Sequence, residues 1–112
     1  MNITELEKTH DIETLRVMAN TSTDVKVLEQ LSQHRHEYIR LRVAGNTHAG
    51  SETLTKLATD EQDEIRRNVA HNEATPTKLL DQLAKDPNIE IARLATFNPN
   101  VRRNIKTKQY QR

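Results

Sequence analysis

Apolar and polar residues follow a pattern that repeats every 26 residues, and its clearest copy runs from Ile65 to Asp86. In the first half of this copy Ile65 and Val69 are four residues apart, which places both side chains on one face of a short helix. The second half has apolar residues at the spacing i, i+1, i+4 and i+5: Leu79, Leu80, Leu83 and Ala84. Each copy is therefore predicted to form two short amphipathic helices, the first over about 65–71 in this copy.

Equivalent residues stand 26 positions apart along nearly the whole chain. Asparagine occurs at the same place in four copies: Asn20, Asn46, Asn72 and Asn98. Three residues before each asparagine stands an apolar residue: Val17, Val43, Val69 and Ala95. The leading copy departs from the spacing by one residue, because Ile12 rather than Glu13 is the apolar residue before its asparagine. Because such copies fold by stacking on their neighbours, the sequence predicts an all-α solenoid of about four stacked units.

The units are expected to form a single domain over residues 1–112. The expected divisions are an N-terminal half-repeat cap at 1–12, repeats at 13–38, 39–64 and 65–90, a partial C-terminal repeat at 91–105 and a basic tail at 106–112. Terminal copies of a solenoid are usually atypical and polar. In the cap, Ile3 and Leu6 are predicted to cover the apolar end of the stack. The charged residues of the cap are predicted to face water: Glu5, Glu7 and Lys8.

Several residues are candidates for the ends of the helices. Asparagine accepts the left-handed conformation more readily than most residues, so the asparagine column is predicted to end the first helix of each unit. The alternative interpretation is a polar ladder that binds a ligand. Thr75 is predicted to be the N-cap of the second helix, with Pro76 at the first helical position. That helix is predicted to end before Asp86-Pro87, because a residue before proline avoids the helical region.

The repeat resembles that of the leucine-rich repeat variant family, whose pattern is approximately V-R-x-x-V-A-x-N-P-x-T-P-x-x-L-L-x-x-L-A-x-D-P-x-x-x-V. The matching residues are Ile65-Arg66, Val69-Ala70, Asn72, Thr75-Pro76, Leu79-Leu80, Leu83-Ala84, Asp86-Pro87 and Ile91. The copy that starts at Ile39 lacks the prolines. The resemblance, which extends to helical repeats of the HEAT and armadillo type, implies a right-handed superhelix of short α and 3₁₀ helices. Some members of the family bind iron and sulfur through an N-terminal cysteine cluster, which this chain lacks, and the family has no single activity to carry over.

The composition narrows the possible functions. The absence of cysteine excludes disulfides, iron–sulfur clusters and a thiolate nucleophile, and it is compatible with a reducing cytoplasm, where we expect a bacterial protein of this kind to lie. The N-terminus has no apolar run, so neither a signal peptide nor a membrane span is expected. The sequence contains no nucleophile motif, glycine-rich phosphate loop or HExxH motif. We therefore expect a protein that is not an enzyme and binds no cofactor or metal.

Arginines are the candidate binding residues, because most of them recur near the first helix of each unit: Arg16, Arg40, Arg42, Arg66, Arg67, Arg93, Arg102 and Arg103. Stacked units bring equivalent positions side by side, so these side chains are candidates for one basic band that binds phosphates or carboxylates. The favoured alternative is a solvated face on which the arginines form ion pairs with acids of the preceding loops. The acids that this alternative names are Glu37, Asp63, Glu64 and Glu90.

Histidines and acids form two further clusters. His34 and His36 flank Arg35, but a metal site needs three or four ligands, so they are interpreted as exposed loop residues. His48 and His71 lie near the asparagines and are interpreted in the same way. The acidic run of Asp60, Glu61, Asp63 and Glu64 lacks the spacing of a calcium loop and is predicted to be a solvated loop between repeats.

The favoured function is a non-catalytic module that binds another protein, as an adaptor, inhibitor or immunity-type protein. The alternative is a nucleic-acid binder that uses the arginine band and the basic tail, because residues 102–112 carry a charge of +5, which leaves −4 for the rest of the chain. Few aromatic residues are available to stack on bases, at 3% of the sequence. A monomer or weak end-to-end self-association is expected, and no membrane interaction.

Overall fold

The computed structural model describes residues 2–101. Within them the chain forms eight helices: α1 Ile3–Thr9, α2 Ile12–Thr21, α3 Val25–Leu31, α4 Glu37–Ala44, α5 Ser51–Leu57, α6 Asp63–His71, α7 Thr77–Leu83 and α8 Ile89–Thr96. Further helical residues begin at Pro99 and continue to Val101, the last residue described. The described residues contain no strand, which confirms the prediction of an all-α protein. The predicted basic tail and the end of the partial repeat, residues 102–105, lie outside the described residues.

The helices form two layers. In one layer α2, α4, α6 and α8 pack side by side, and the last three begin 26 residues apart, at residues 37, 63 and 89. In the other layer α3, α5 and α7 each pack against the helix before and the helix after them in the chain. The principal extents of 55 × 27 × 17 Å describe an elongated molecule. The helix α1 packs on α2, as each second-layer helix packs on the first-layer helix that follows it.

The core comes from pairs of apolar residues four apart on the first-layer helices. These buried pairs are Leu15/Ala19, Ile39/Val43, Ile65/Val69 and Ile91/Ala95. The second-layer helices contribute buried leucine pairs three residues apart: Leu28/Leu31, Leu54/Leu57 and Leu80/Leu83. A helix of seven to ten residues has little stability by itself, so burial between layers supplies the stability of each unit.

The leading copy is displaced from the sequence pattern by two residues. Val17, predicted to lie in the core with Val43, is 48% exposed, and Leu15 and Ala19 are buried in its place. The reason is a shorter loop: two residues separate Ser22 from α3, whereas four separate Asn46 from α5. Ile12, placed in the predicted cap, is instead the first residue of α2.

The asparagine column connects consecutive units. The Nδ2 of Asn72 donates to the carbonyls of Ala44 and Asn46 at 2.9 and 3.0 Å, and its Oδ1 accepts the N–H of Ala74. Asn46 and Asn98 make the same set of bonds, and we call these three residues the asparagine ladder. All three are buried, which leaves no polar ladder at the surface for a ligand.

The predicted left-handed caps are wrong. Asn72 is the C-cap of α6, but its φ is −66°, and no residue of the described chain, glycine included, has a positive φ. The amide is needed for bonding to the preceding unit rather than for an unusual backbone conformation. Asn20 takes no part in the ladder, because it lies on the exposed side of α2. Ser22 stands at the first rung instead: its Oγ accepts the N–H of Asp24 and its carbonyl accepts the Nδ2 of Asn46.

The predicted start of the second helix is wrong. Thr75 is not the N-cap and Pro76 is not the first helical residue, because α7 begins at Thr77. The buried Thr75 hydroxyl instead donates to the carbonyl of Val69 at 2.6 Å.

The 3₁₀ helices that the family resemblance implies are also not found, since none of the described residues forms one. The second-layer helices make full α-helical bonds, such as that from the Ala84 N–H to the Leu80 carbonyl.

We expect both Asn72→Ala and Asn72→Gly to lower the free energy of unfolding by roughly 1–3 kcal/mol, because each removes hydrogen bonds to buried carbonyls. The measurement is urea denaturation followed by circular dichroism. Asn20→Ala is the matched control and should change the free energy of unfolding by less than about 0.5 kcal/mol. An Asn72→Gly protein as stable as the unmodified one would support the left-handed cap and contradict the ladder.

Candidate functional site

Two of the candidate arginines hold loops of their own repeat together. Arg40 Nε donates to Asp60 Oδ2 at 2.9 Å, and its Nη1 donates to the carbonyls of His34 and Arg35. Twenty-six residues later, Arg66 Nε donates to Asp86 Oδ2 at 2.9 Å, and its Nη1 donates to the carbonyls of Asp60 and Glu61. Each guanidinium, which we call an arginine clamp, thus joins the loop before its first-layer helix to the loop after the following second-layer helix.

The clamp of Arg66 is the more extensively bonded of the two. The side chains of Arg66 and Asp86 are 14% and 7% exposed, and Arg66 also pairs with Asp63. Burial disfavours the ionised form of Asp86, but hydrogen bonds from Arg66 and from the N–H of Asn88 outweigh it, so the pKa of Asp86 is lowered. The same hydrogen bond to Asp86 raises the pKa of Arg66. Hydrogen bonds from Asn88 and then Arg66 lower the pKa of Asp63.

His34 occupies the place of the clamp aspartates in the leading unit. Its Nδ1 accepts the N–H of His36 at 2.9 Å, just as Asp60 and Asp86 accept the N–H two residues later. Its Nε2 lies 3.3 Å from Glu7 Oε1 on α1. The prediction that His34 is exposed is therefore wrong, since the side chain is 5% exposed, and Glu7 does not simply face water. His36, His48 and His71 are exposed as predicted.

The remaining arginines differ in whether they form ion pairs. Arg16 pairs with Glu13 at 3.1 Å, and Arg67 Nη2 pairs with Glu90 at 3.0 Å. Arg42 and Arg93 are exposed, with no ion pair among the described residues. Arg102 and Arg103 lie outside the described residues. Four of the six described candidates are therefore occupied by intramolecular pairs.

The predicted solvated ion pairs are correct only in part. Asp63 and Glu90 do pair with arginines, but the described residues contain no ion pair to Glu37 or Glu64. The main partners, Asp60 and Asp86, were missed. The prediction that Asp60 lies in a solvated acidic run is wrong, because its side chain is only 10% exposed. The signal that identifies the partners is an aspartate twenty residues after the repeated arginine in two successive copies.

The exposed side of the first layer carries a mixed set of side chains. In α4, α6 and α8 the second residue of the helix and the residues three and seven positions after it share this side, which we call the outer face. These residues are Tyr38, Leu41, Gly45, Glu64, Arg67, His71, Glu90, Arg93 and Phe97. Tyr38 and Phe97 are 56% and 67% exposed. An exposed aromatic side chain on a chain with so few of them is a candidate for contact with a partner.

A cleft of about 540 Å³ opens on this face between the first turns of α4 and α6. Its lining residues are Glu37, Tyr38, Leu41, Glu61, Gln62, Asp63, Glu64 and Ile65. Carboxylates in the first turn of a helix are favoured by the helix dipole, so their presence here has an ordinary structural cause. Ile65 belongs to the core and Leu41 packs against it, so the exposed Tyr38 is the lining residue without such a structural cause.

A second cleft of about 490 Å³ lies at the N-terminal end of the molecule. It is lined by Glu7, His10, Ile12, Leu15, His34, Arg35 and His36, and thus surrounds the contact between α1 and His34. No three metal-binding side chains converge anywhere in residues 2–101.

Comparisons with protein-family models, with curated proteins and with solved structures give no match. Over the described part of the chain, no helix has the length and apolar character needed to cross a membrane.

We expect Arg66→Ala to lower the free energy of unfolding by about 2 kcal/mol, between the values for exposed and buried pairs, because it leaves Asp86 and two carbonyls without their donor. Arg42→Ala is the matched control, since Arg42 is exposed, and should change stability by less than about 0.5 kcal/mol. Urea denaturation measures both. Equal losses in the two variants would contradict the structural role of the clamp.

The clamp also predicts a pH dependence. Because the pKa of Asp86 is lowered by folding, its contribution is complete above the ordinary aspartate value of about 3.9 and is lost as the pH falls toward the lower folded value. The stability difference between the unmodified protein and Asp86→Asn should therefore be largest at pH 7 and shrink below about pH 4. Denaturation at a series of pH values tests this, with the exposed Asp81→Asn as control. A difference that is constant between pH 7 and pH 3 would contradict it.

Proposed function

We propose that the chain is a non-catalytic binding module that recognises another protein through its outer face. In this proposal the molecule is a right-handed α-solenoid of about 26-residue, two-helix repeats, related to the leucine-rich repeat variant type. The stack of about four units is rigid because each unit is bonded to the one before it, and a rigid surface loses little entropy when it binds.

The observation that carries the proposal is the division of side chains between interior and surface. Arg40 and Arg66 form clamps, so the residues best suited to bind phosphate are turned into the structure. What the outer face presents is aromatic, apolar and of both charges, as at protein–protein interfaces. The cleft beside Tyr38 gives this face a concave feature in which a partner side chain can be buried.

A photo-crosslinking amino acid at Tyr38 tests the proposal in the native host. We expect one discrete adduct with another protein, and no such adduct from the same label at Asp81, an exposed position on α7. Adding Phe97→Ala to the labelled protein should weaken the adduct if the partner spans the face. The same adducts from both positions, or none from either, would overturn the proposal.

Nucleic-acid binding is the second candidate, favoured by the exposed Arg42 and Arg93 and by the basic residues 102–112. Against it, Glu37, Glu61 and Glu64 are exposed near the same face and repel phosphate. We therefore expect no retardation of single-stranded or double-stranded DNA or RNA at about 50 mM salt, where phosphate contacts are strong. Binding that is abolished by the pair Arg42→Glu and Arg93→Glu would favour the second candidate over the first.

A further inference from the structure

The helix α1 closes the N-terminal end of the stack. Its Leu6 is buried and Ile3 is partly buried against the core, and the helix packs on α2. Seven residues with one fully buried leucine make a weak attachment, because short helices depend on their tertiary contacts. A polar contact that adds to or subtracts from this attachment therefore has a large influence on whether α1 is bound.

The ion-pair geometry gives α1 one such contact, between Glu7 and His34. In the later units the residue equivalent to His34 is an aspartate that binds an arginine of its own unit. In the leading unit that arginine is Arg16, which pairs with Glu13 instead. The change from aspartate to histidine thus replaces a clamp within a unit by a contact to the terminal helix.

The hydrogen bonds of His34 fix which ring nitrogen carries the proton. Nδ1 accepts the N–H of His36, so it is unprotonated, and the proton of the neutral ring lies on Nε2, which faces Glu7. A second proton must bind Nδ1, the atom that accepts the peptide N–H. A protonated ring therefore cannot keep its bond to His36 in this position.

Burial opposes protonation of the ring, and the charges around the ring act in both directions. Glu7 is the one carboxylate that faces it from α1, and His10 lines the same cleft. The loop contributes Arg35 and His36, and α4 contributes Arg40, whose Nη1 binds the His34 carbonyl. We propose that His34 is a pH-dependent switch that holds α1 on α2 while its ring is neutral and releases α1 when the ring is protonated.

The direction of the pH effect follows from burial. Burial lowers the pKa of His34 below its ordinary value of about 6.5; Glu7 opposes this shift, and Arg35, His36 and Arg40 add to it. Release of α1 exposes the ring to water, and burial is the largest cause of the lowered pKa, so the released form takes up the proton more readily. Attachment of α1 is then complete above about pH 6.5 and weakens as the pH falls below it. The weakening stops once the pH is below the lowered value of the bound form.

Amide hydrogen exchange measures release of α1 directly. The protection factors of the Leu6 and His10 amides, which donate to the Asn2 and Leu6 carbonyls, should fall about fivefold or more between pH 7.5 and pH 5. Amides of α6 should keep their protection within about twofold, because the clamps and ladder there contain no histidine side chain. Unchanged protection of α1 at pH 5 would overturn the proposal.

Two histidine variants separate the switch from a general effect of acid. His34→Gln retains a neutral acceptor and does not titrate, so protection of α1 should no longer depend on pH. His10→Gln removes the other histidine next to α1 and should leave the pH dependence intact. Loss of the pH dependence in His10→Gln, or its persistence in His34→Gln, would overturn the proposal.

If His34→Gln releases α1 at every pH, the test of the proposal is made on the unmodified protein. The midpoint of α1 release must then coincide with the titration of the His34 ring, followed by NMR of its carbon-bound protons. A midpoint that follows the His10 ring instead would overturn the proposal.

Discussion

Each unit of this protein after the first depends on an asparagine side chain that satisfies the backbone of the unit before it. Short helices have a high proportion of ends, and the carbonyls at the last turn of a helix have no partner within it. Stacking buries these ends, where an unpaired carbonyl is strongly unfavourable. One amide nitrogen at Asn46, Asn72 or Asn98 bonds one such helix carbonyl and a second carbonyl just after the helix, and the oxygen of the same side chain fixes the following turn. The bond joins residues 26 apart at Asn72 and Asn98, and residues 24 apart at Asn46 and Ser22, where the loop is shorter.

The periodicity of the sequence was enough to predict the helices and most of the core. Pairs such as Ile65 and Val69 are buried because a spacing of four residues is a direct consequence of helix geometry. The role of the asparagines could not be derived in the same way, because a column of equivalent residues gives their position and not their partner. Local capping preference then suggested a left-handed residue, whereas the tertiary bond uses an ordinary backbone conformation. In the leading unit Asn20 stands at the spacing of the asparagine column but has no part in the ladder. The structure shows that the buried positions of α2 are displaced, because the loop after Ser22 is shorter.

The arginines show a similar limit. Their recurrence near the first-layer helices is visible in the sequence, and it suggests a basic band. The guanidinium group has five donors in a fixed plane, and in Arg40 and Arg66 those donors bind an aspartate and two carbonyls of neighbouring loops. A residue type suited to ligand binding is equally suited to joining loops. The outer face of the first layer, by contrast, is made mostly of exposed positions that neither the core nor the clamps require, with Leu41 as the exception.

The ladder also has a direction, since every amide donates toward the N-terminus and every acceptor lies in the preceding unit. A segment such as the one around Asn72 thus has both an amide that donates to the preceding segment and a carbonyl that accepts from the following one. An in-frame duplication of that segment would copy both groups. Ser22 breaks this equivalence: it receives a bond from Asn46 but has no amide to offer a preceding unit. The segments that contain Asn72 and Asn98 are therefore equivalent in their bonding, whereas the segment that contains Ser22 is not.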